Sequence, residues 1–143
     1  MNPLSISVDT SATMIAPPRF PVDNPPAWPV WVAGTVVNGQ VVTSSKGGLF
    51  WCIVGGTSAV EPAGAVLTDG SVQWAQILPG RRREINVVNT GATVISVSVG
   101  AIPTAGQGQV LQANGSYNSF VSYADPVYAI SNTAGGTVSV QDL

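Results

Sequence analysis

The side chains that could carry acid–base chemistry in this sequence are few, and none of them is histidine. Without imidazole, the commonest general base, proton transfer would fall to carboxyl groups. Glu61 and Asp69 are the only plausible pair, because both lie near turns of one predicted β module, and glycoside cleavage needs two carboxyls about 5 to 9 Å apart. Each also has a structural explanation, since Asp69 precedes Gly70 in a turn and Glu61 precedes Pro62 in a loop. We therefore expect that the chain is not an enzyme.

The single cysteine, Cys52, lies in an apolar run of strand length. A cysteine in that setting is typically a small buried hydrophobe rather than a nucleophile. One cysteine without any histidine offers neither an internal disulfide nor a zinc site. No glycine-rich phosphate loop opens a helix, because no stretch has helical periodicity with caps. We expect no cofactor and no metal.

The β-strands that would hold these side chains in place are organised around residues 47–74, which read GGLFWCIVGGTSAVEPAGAVLTDGSVQW. Residues 49–54 form a continuous apolar run that suits a strand, and Gly55-Gly56 ends it. The dipeptide Asp69-Gly70 then turns the chain into residues 71–77, where apolar and polar side chains alternate. Asn38-Gly39 is a further hairpin signal upstream. Residues 30–79 are therefore predicted to form a small antiparallel β-meander.

Residues 80–143 are predicted to form a second unit after Pro79-Gly80. Six short strands with turn residues between them indicate an antiparallel sandwich or a small barrel. The predicted fold class is all-β, with a β-meander module followed by this compact unit and preceded by an extended proline-rich arm.

The predicted arm covers residues 1–29. It begins with the alternating apolar residues of one strand and continues with six prolines within thirteen residues, which favour a stiff extended connector. A flexible linker is the alternative. Burial of the apolar side chains on another subunit, by addition to a sheet edge, is the functional interpretation. The residues expected to bind a partner in this way are Leu4, Ile6, Val8, Phe20, Trp28 and Trp31.

The only cluster of charge is formed by Arg81, Arg82 and Arg83, which hold three of the five cations. A solvated strand start that discourages wrong edge pairing is one interpretation. The other is a set of salt bridges to acidic groups of a neighbouring subunit, which would make these arginines partner-binding residues.

The four tryptophans also have two interpretations. Trp51 and Trp74 fall on central strands, where packing in the core is the usual role. Trp28 and Trp31 flank the end of the arm and are better placed to contact another chain. Stacking on sugar rings is the alternative for exposed members of the set.

The composition limits the class of partner. Charged residues make up only 8% of the chain and hydrophobic residues 45%, so a surface covered by neighbouring subunits is favoured over that of an ordinary soluble β domain. A net charge of −2 without a basic stripe argues against nucleic acid binding. No apolar run approaches the roughly 20 residues of a membrane helix and no secretory signal is visible, so assembly in a cytoplasm is expected.

Several short motifs across residues 28–77 resemble a small β module that recurs in tail fibres, head fibres and capsid-associated proteins of tailed bacteriophages. They stand in the order WVAGTVV at residues 31–37, GLFWC at 48–52, GGTSA at 55–59 with Glu61-Pro62, and TDGSVQW at 68–74. In the second unit, REINVVNTG at residues 83–91, LQANGSY at 111–117 and VYAIS at 127–131 resemble compact β-sandwiches attached to phage head and tail proteins.

The resemblance implies a virion structural protein, most of all a capsid decoration (cement) protein on the outer capsid surface. Its expected partners are the major capsid protein and copies of itself in a homotrimer, with assembly in the bacterial host cytoplasm. The alternative is a receptor- or glycan-binding module of a tail or head fibre.

Overall fold

The computed structural model describes residues 3–21, 27–64, 66–119 and 124–143, and within them the regular secondary structure consists of β-strands. The all-β prediction is confirmed, and every strand pairing is antiparallel. The chain divides into two compact units. Unit 1 contains residues up to Arg19 together with Arg81–Leu143, and unit 2 is the inserted segment Phe20–Gly80.

Unit 1 contains two four-stranded sheets. The first has the strand order β1-β14-β9-β12 and the second the order β11-β10-β13-β2. The strands are β1 (Leu4–Val8), β2 (Thr13–Ala16), β9 (Ile85–Asn89), β10 (Ile95–Val99), β11 (Gln109–Leu111), β12 (Ser116–Ser119), β13 (Val127–Ser131) and β14 (Gly136–Asp142). Burial alternates along β9, β13 and β14, so each sheet buries one face against the other. Unit 1 is therefore a sandwich rather than a closed barrel.

The first strands of the chain are integral parts of this sandwich. β1 pairs with β14 from Leu4 opposite Val140 to Val8 opposite Gly136, and β2 pairs with β13. Ile6 and Val8 are about 1% exposed, because the alternation of β1 turns them into the core of their own unit. Residues 3–19 therefore belong to unit 1 and do not form the predicted extended arm. The strand beside which β1 adds is β14 of the same chain, not a strand of another subunit.

Unit 2 contains a four-stranded sheet of order β4-β5-β8-β7 and a two-stranded ribbon of β3 and β6. Their bounds are β3 (Gly34–Val36), β4 (Val41–Thr43), β5 (Leu49–Val54), β6 (Gly56–Ser58), β7 (Val66–Asp69) and β8 (Val72–Gln76). The core holds Val36, Val42, Phe50, Cys52, Val72 and Trp74, with Trp31 packed against it. Trp51 and Trp74 are buried, as the sequence predicts.

The turn at Asn38-Gly39 joins strands that do not pair with each other. Gln40 N–H donates to Val37 O at 3.2 Å, so the turn itself is formed. β3 nevertheless pairs with β6, and β4 pairs with β5. The reason is visible at Gly55, where an added Cβ would lie 2.7 Å from Val36 O, so the missing side chain admits the β3 backbone beside the end of β5. The predicted Asn38-Gly39 hairpin is therefore wrong, although its turn is present.

Candidate functional site: an uncharged ribbon surface and an apolar cavity

Of the predicted arginine cluster, Arg82 lies inside unit 1. It is 0% exposed, and its Nε lies 2.7 Å from Asp142 Oδ1. Arg19, also buried, places Nη2 3.0 Å from the same oxygen. Arg82 further donates to Pro17 O at 2.7 Å and Asp125 O at 2.8 Å. This ion cluster (Arg19, Arg82 and Asp142) ties the segment after β2 to the start of β9 and the end of β14, so Arg82 is not available to a partner.

The sequence interpretation missed Arg19 and Asp142. The sequence could have predicted that Asp142 is buried. Every second residue of β14 faces the core, and Asp142 follows Val138 and Val140 in that alternation. An acid on a buried strand face requires a cation, since a buried charge is stable only when it is paired. Arg81 and Arg83 are exposed, and they retain the role of predicted polar contacts.

The two carboxyls considered for catalysis each hold a turn of unit 2. Asp69 Oδ2 accepts the backbone N–H groups of Ala59 at 2.7 Å and Val60 at 2.9 Å, as well as the Ser58 hydroxyl. Glu61 accepts the Ser45 N–H at 2.7 Å and its hydroxyl at 2.8 Å. These bonds give both acids a structural role in the turns of unit 2.

These hydrogen bonds also lower the pKa of both carboxyl groups. The Ser45 N–H, helped by its hydroxyl, holds the pKa of Glu61 below its ordinary value. The Val60 N–H is the largest cause of a lowered pKa at Asp69. Burial opposes it as the second-largest effect, and the Ala59 N–H and the Ser58 hydroxyl add to the lowering. Both carboxyls therefore favour the ionised form, whereas a general acid needs a raised pKa.

An acid-dependent stability of unit 2 follows from these two groups. A lowered pKa in the folded state stabilises the protein above the unfolded-state pKa of about 4. That contribution is lost as the pH falls through the lower folded-state values. We expect the urea midpoint of unit 2, followed by tryptophan fluorescence because all four tryptophans lie in this unit, to fall between about pH 5 and pH 3. The double variant Asp69→Asn, Glu61→Gln should be less stable at pH 7 and show a shallower decline, and an unchanged decline would contradict the assignment.

Cys52 is buried, and its Sγ lies 3.2 Å from Val54 O. Burial raises the pKa of its thiol to about 11. The thiol is therefore protonated at neutral pH, as a core side chain would be.

Exposed uncharged residues lie on and directly beside the ribbon of β3 and β6. Thr35 and Thr57 lie opposite each other and are both exposed. Val32 and Val60, each two residues beyond the Gly34–Ser58 pair, are 76% and 51% exposed, and Val37 at the other end is 63% exposed. We call these residues (Val32, Thr35, Val37, Thr57 and Val60) the ribbon surface.

Charge is scarce around the ribbon surface. Among the described residues of unit 2, the charged side chains are Lys46, Glu61 and Asp69. Lys46 and Glu61 are at the Ser45 turn, and Asp69 is 9% exposed with its carboxylate bound to the N–H groups of Ala59 and Val60. Isolated exposed valines are ordinary, but several around one uncharged ribbon are typical of a contact surface.

Trp31 belongs to the core side of this ribbon. Its indole Nε1 donates to Ser58 Oγ at 2.9 Å, and Ser58 donates in turn to Asp69 at 3.0 Å. The side chain packs against the core of unit 2. Trp31 therefore shapes the ribbon from beneath, and its neighbours Val30 and Val32 are the exposed residues.

An apolar cavity of about 570 Å³ forms the second feature of unit 2. Phe20 and Trp28 meet there with ring centroids 5.8 Å apart and a 51° angle between the ring planes. Its other walls include Pro21, Leu49, Ile77, Leu78 and Pro79, and its polar side chains are Thr43 and Gln76. No charged side chain is among the described residues that line it.

The backbone around the cavity is fixed by hydrogen bonds within unit 2. The Thr43 hydroxyl donates to Trp28 O at 3.1 Å, and Val30 forms a parallel bridge with Thr43. The Gly80 N–H donates to Phe20 O at 2.8 Å. Phe20 and Trp28, both predicted to bind a partner, are thus brought together, whereas Ile6 and Val8 are enclosed in unit 1 and Leu4 is half-buried there.

Comparison with protein-family models, with curated proteins and with solved structures finds no match to this chain. Among the described residues, no three histidine, cysteine or acidic side chains gather where they could hold a metal ion. A helix long and apolar enough to cross a membrane is likewise not found in the described part of the chain.

Proposed function

We propose that this chain is a structural protein of a tailed-phage virion, most of all a decoration protein that binds the outer capsid surface. The observation that carries the proposal is the ribbon surface, where exposed valines and threonines lie on a unit with very few charged side chains. The motif resemblance over residues 28–77 points to the same class of protein. The proposed partners are the major capsid protein and further copies of the chain in a homotrimer.

The proposed mechanism is adhesive. Burial of apolar surface stabilises a contact by about 25 cal/mol per Å² of area removed from water. Much of that gain is offset by the entropy lost on association, so a single contact of this size is modest. Many copies bound to adjacent capsomers add their contributions, and expansion of the shell would have to expose the same apolar area again. The exposed Arg81 and Arg83 would add polar contacts at the edge of such an interface.

Glycan binding on a fibre is less well supported by the same geometry. Trp28 and Trp31 are half-buried, and Trp31 donates its indole N–H to Ser58. Among its described lining residues, the cavity beside Trp28 offers two polar side chains, Thr43 and Gln76, whereas a sugar brings many hydroxyl groups that need partners. We therefore favour adhesion between proteins.

The test is binding of the purified protein to shells assembled without it, measured by co-sedimentation. We expect saturable binding with a copy number in the hundreds per particle. The double variant Val32→Asp, Val60→Asp should bind at least about tenfold more weakly, because each carboxylate would be desolvated at the contact. Ile102→Asp is the matched control, since Ile102 is 71% exposed on unit 1, and it should bind as the wild type does.

Two results would count against the proposal in different ways. Failure of the wild-type chain to bind shells would exclude decoration. Equal binding by the double variant would show that another surface makes the contact.

A further inference from the structure

Trp28, one of the residues that line the cavity of unit 2, carries a buried hydrogen-bond donor without an acceptor. Trp28 Nε1 is buried and has no hydrogen-bond partner. Trp74 Nε1 is also buried without a hydrogen-bond partner, but Trp74 lies in the hydrophobic core. A buried donor without an acceptor therefore does not by itself define a binding site. Among the described residues with such a donor, Trp28 is the one that lines the cavity of about 570 Å³, a volume within the usual range of ligand sites.

We propose that this cavity binds an uncharged, proline-rich extended segment of a partner polypeptide, with the Trp28 indole turning its N–H to a carbonyl of that segment. The walls are flat rings and aliphatic side chains, supplied by Phe20, Trp28, Pro21 and Pro79 among others. Grooves that recognise polyproline II segments are built in this way, from aromatic side chains that pack on proline rings. The absence of charge from the described lining residues matches a neutral occupant.

The chemistry of the donor narrows the class of ligand further. A polyproline II segment makes no internal hydrogen bonds, so its carbonyls are free to accept one from an indole. An acyl chain would fill the apolar space but leave the Trp28 N–H without an acceptor. Among the described lining residues, a sugar would find the polar side chains of Thr43 and Gln76, and the Thr43 hydroxyl already donates to Trp28 O. The extended segment also loses little conformational entropy on binding, because it is already ordered when free.

The test is a titration of the full ¹⁵N-labelled chain with nonaproline, acetylated and amidated to remove its terminal charges. The four tryptophans give four indole N–H cross-peaks, and Trp28→Phe assigns the one of interest by its disappearance. We expect the Trp28 peak to move saturably, downfield as a hydrogen bond forms. Trp28→Phe keeps an aromatic wall but loses the donor, and it should bind about tenfold more weakly.

Two controls test whether binding requires the Trp28 indole and a proline-rich ligand. Trp31→Phe removes an indole N–H that donates to Ser58 outside the cavity lining, so its affinity for nonaproline should equal that of the wild type. A glycine–serine peptide of equal length should leave the Trp28 peak in place. The inference is overturned if nonaproline moves no indole peak, if Trp31→Phe weakens binding as much as Trp28→Phe, or if cello-oligosaccharide or octanol shifts the Trp28 peak more strongly.

The wild-type titration decides the matter even if Trp28→Phe does not fold, because triple-resonance experiments can assign the peak instead. The inference does not depend on the proposed function. The titration uses the isolated chain and no shells, so either idea can fail while the other stands.

Discussion

Replacement of Asp142 by alanine is expected to lower the unfolding free energy of unit 1 by roughly 3–5 kcal/mol, the effect of breaking a buried ion pair from one side. The variant would leave the guanidinium groups of Arg19 and Arg82 buried without the carboxylate that now lies 3.0 and 2.7 Å from them. Both arginines are almost fully enclosed, so water cannot replace the lost partner without opening the unit. Urea unfolding followed by far-UV circular dichroism measures the change.

The matched control is Asp9→Asn, since Asp9 is an exposed acid of the same unit whose carboxylate accepts the N–H of Thr10. We expect it to change the unfolding free energy by no more than about 0.5 kcal/mol. Tryptophan fluorescence, which reports on unit 2, should keep the wild-type midpoint in both variants. A stability of Asp142→Ala close to that of Asp9→Asn would contradict the buried ion cluster.

Ile6→Ala is expected to destabilise unit 1 by about 2–5 kcal/mol, because the substitution leaves a cavity in a close-packed core. Ile6 lies opposite Val138 in the β1–β14 pair, and both side chains are buried. The adjacent Ser7 is exposed, so Ser7→Ala is the matched control and should fall within about 0.5 kcal/mol of the wild type. The same urea titration compares the two variants.

Deletion of residues 1–16 extends this comparison. The deletion removes β1 and β2, which are edge strands of the two different sheets of unit 1. We expect the cooperative transition of unit 1 to disappear while the tryptophan transition of unit 2 persists. A truncated chain that keeps both transitions would restore the interpretation of these residues as an arm.

Local patterns in the sequence predicted those elements whose stabilising partners are near in the chain. Leu49–Val54 is a strand, as the apolar run indicates. Ile95–Val99 is also a strand, although its burial does not alternate, since Ser96 is buried together with Ile95 and Val97. The turn before β8 forms at Gly70, whose φ of +59° suits glycine. In each case the hydrophobic period and the turn residues carry the information.

Long-range pairing was beyond the reach of those patterns. The alternation of Leu4, Ile6 and Val8 predicts a strand but does not indicate which strand it pairs with. The prolines that follow favoured pairing with another chain, whereas the strand pairs with β14. β6, with the sequence Gly-Thr-Ser, has no apolar alternation and is a strand only because β3 lies beside it. Tertiary contacts decided both outcomes.

The candidate site was partly predictable for the same reason. Phe20 and Trp28 were identified as costly to leave in water, and they line the cavity, but their proximity depends on backbone bonds such as that of Gly80 to Phe20. Arg82 was grouped with Arg81 and Arg83 as one exposed charge cluster, whereas it lies buried before β9 begins at Ile85. Extending the alternation of buried residues along β14 to its last residue would have predicted that Asp142 is a buried acid.

The pairing of β1 with β14 has a consequence for synthesis on the ribosome. Unit 2 is continuous in the chain, so all of its residues are available once Gly80 has left the exit tunnel. The sandwich must wait, because Leu4 has no partner until Val140 leaves the exit tunnel. Throughout translation of the intervening residues, the first strand is a nascent edge that chaperones or neighbouring polysomes can reach.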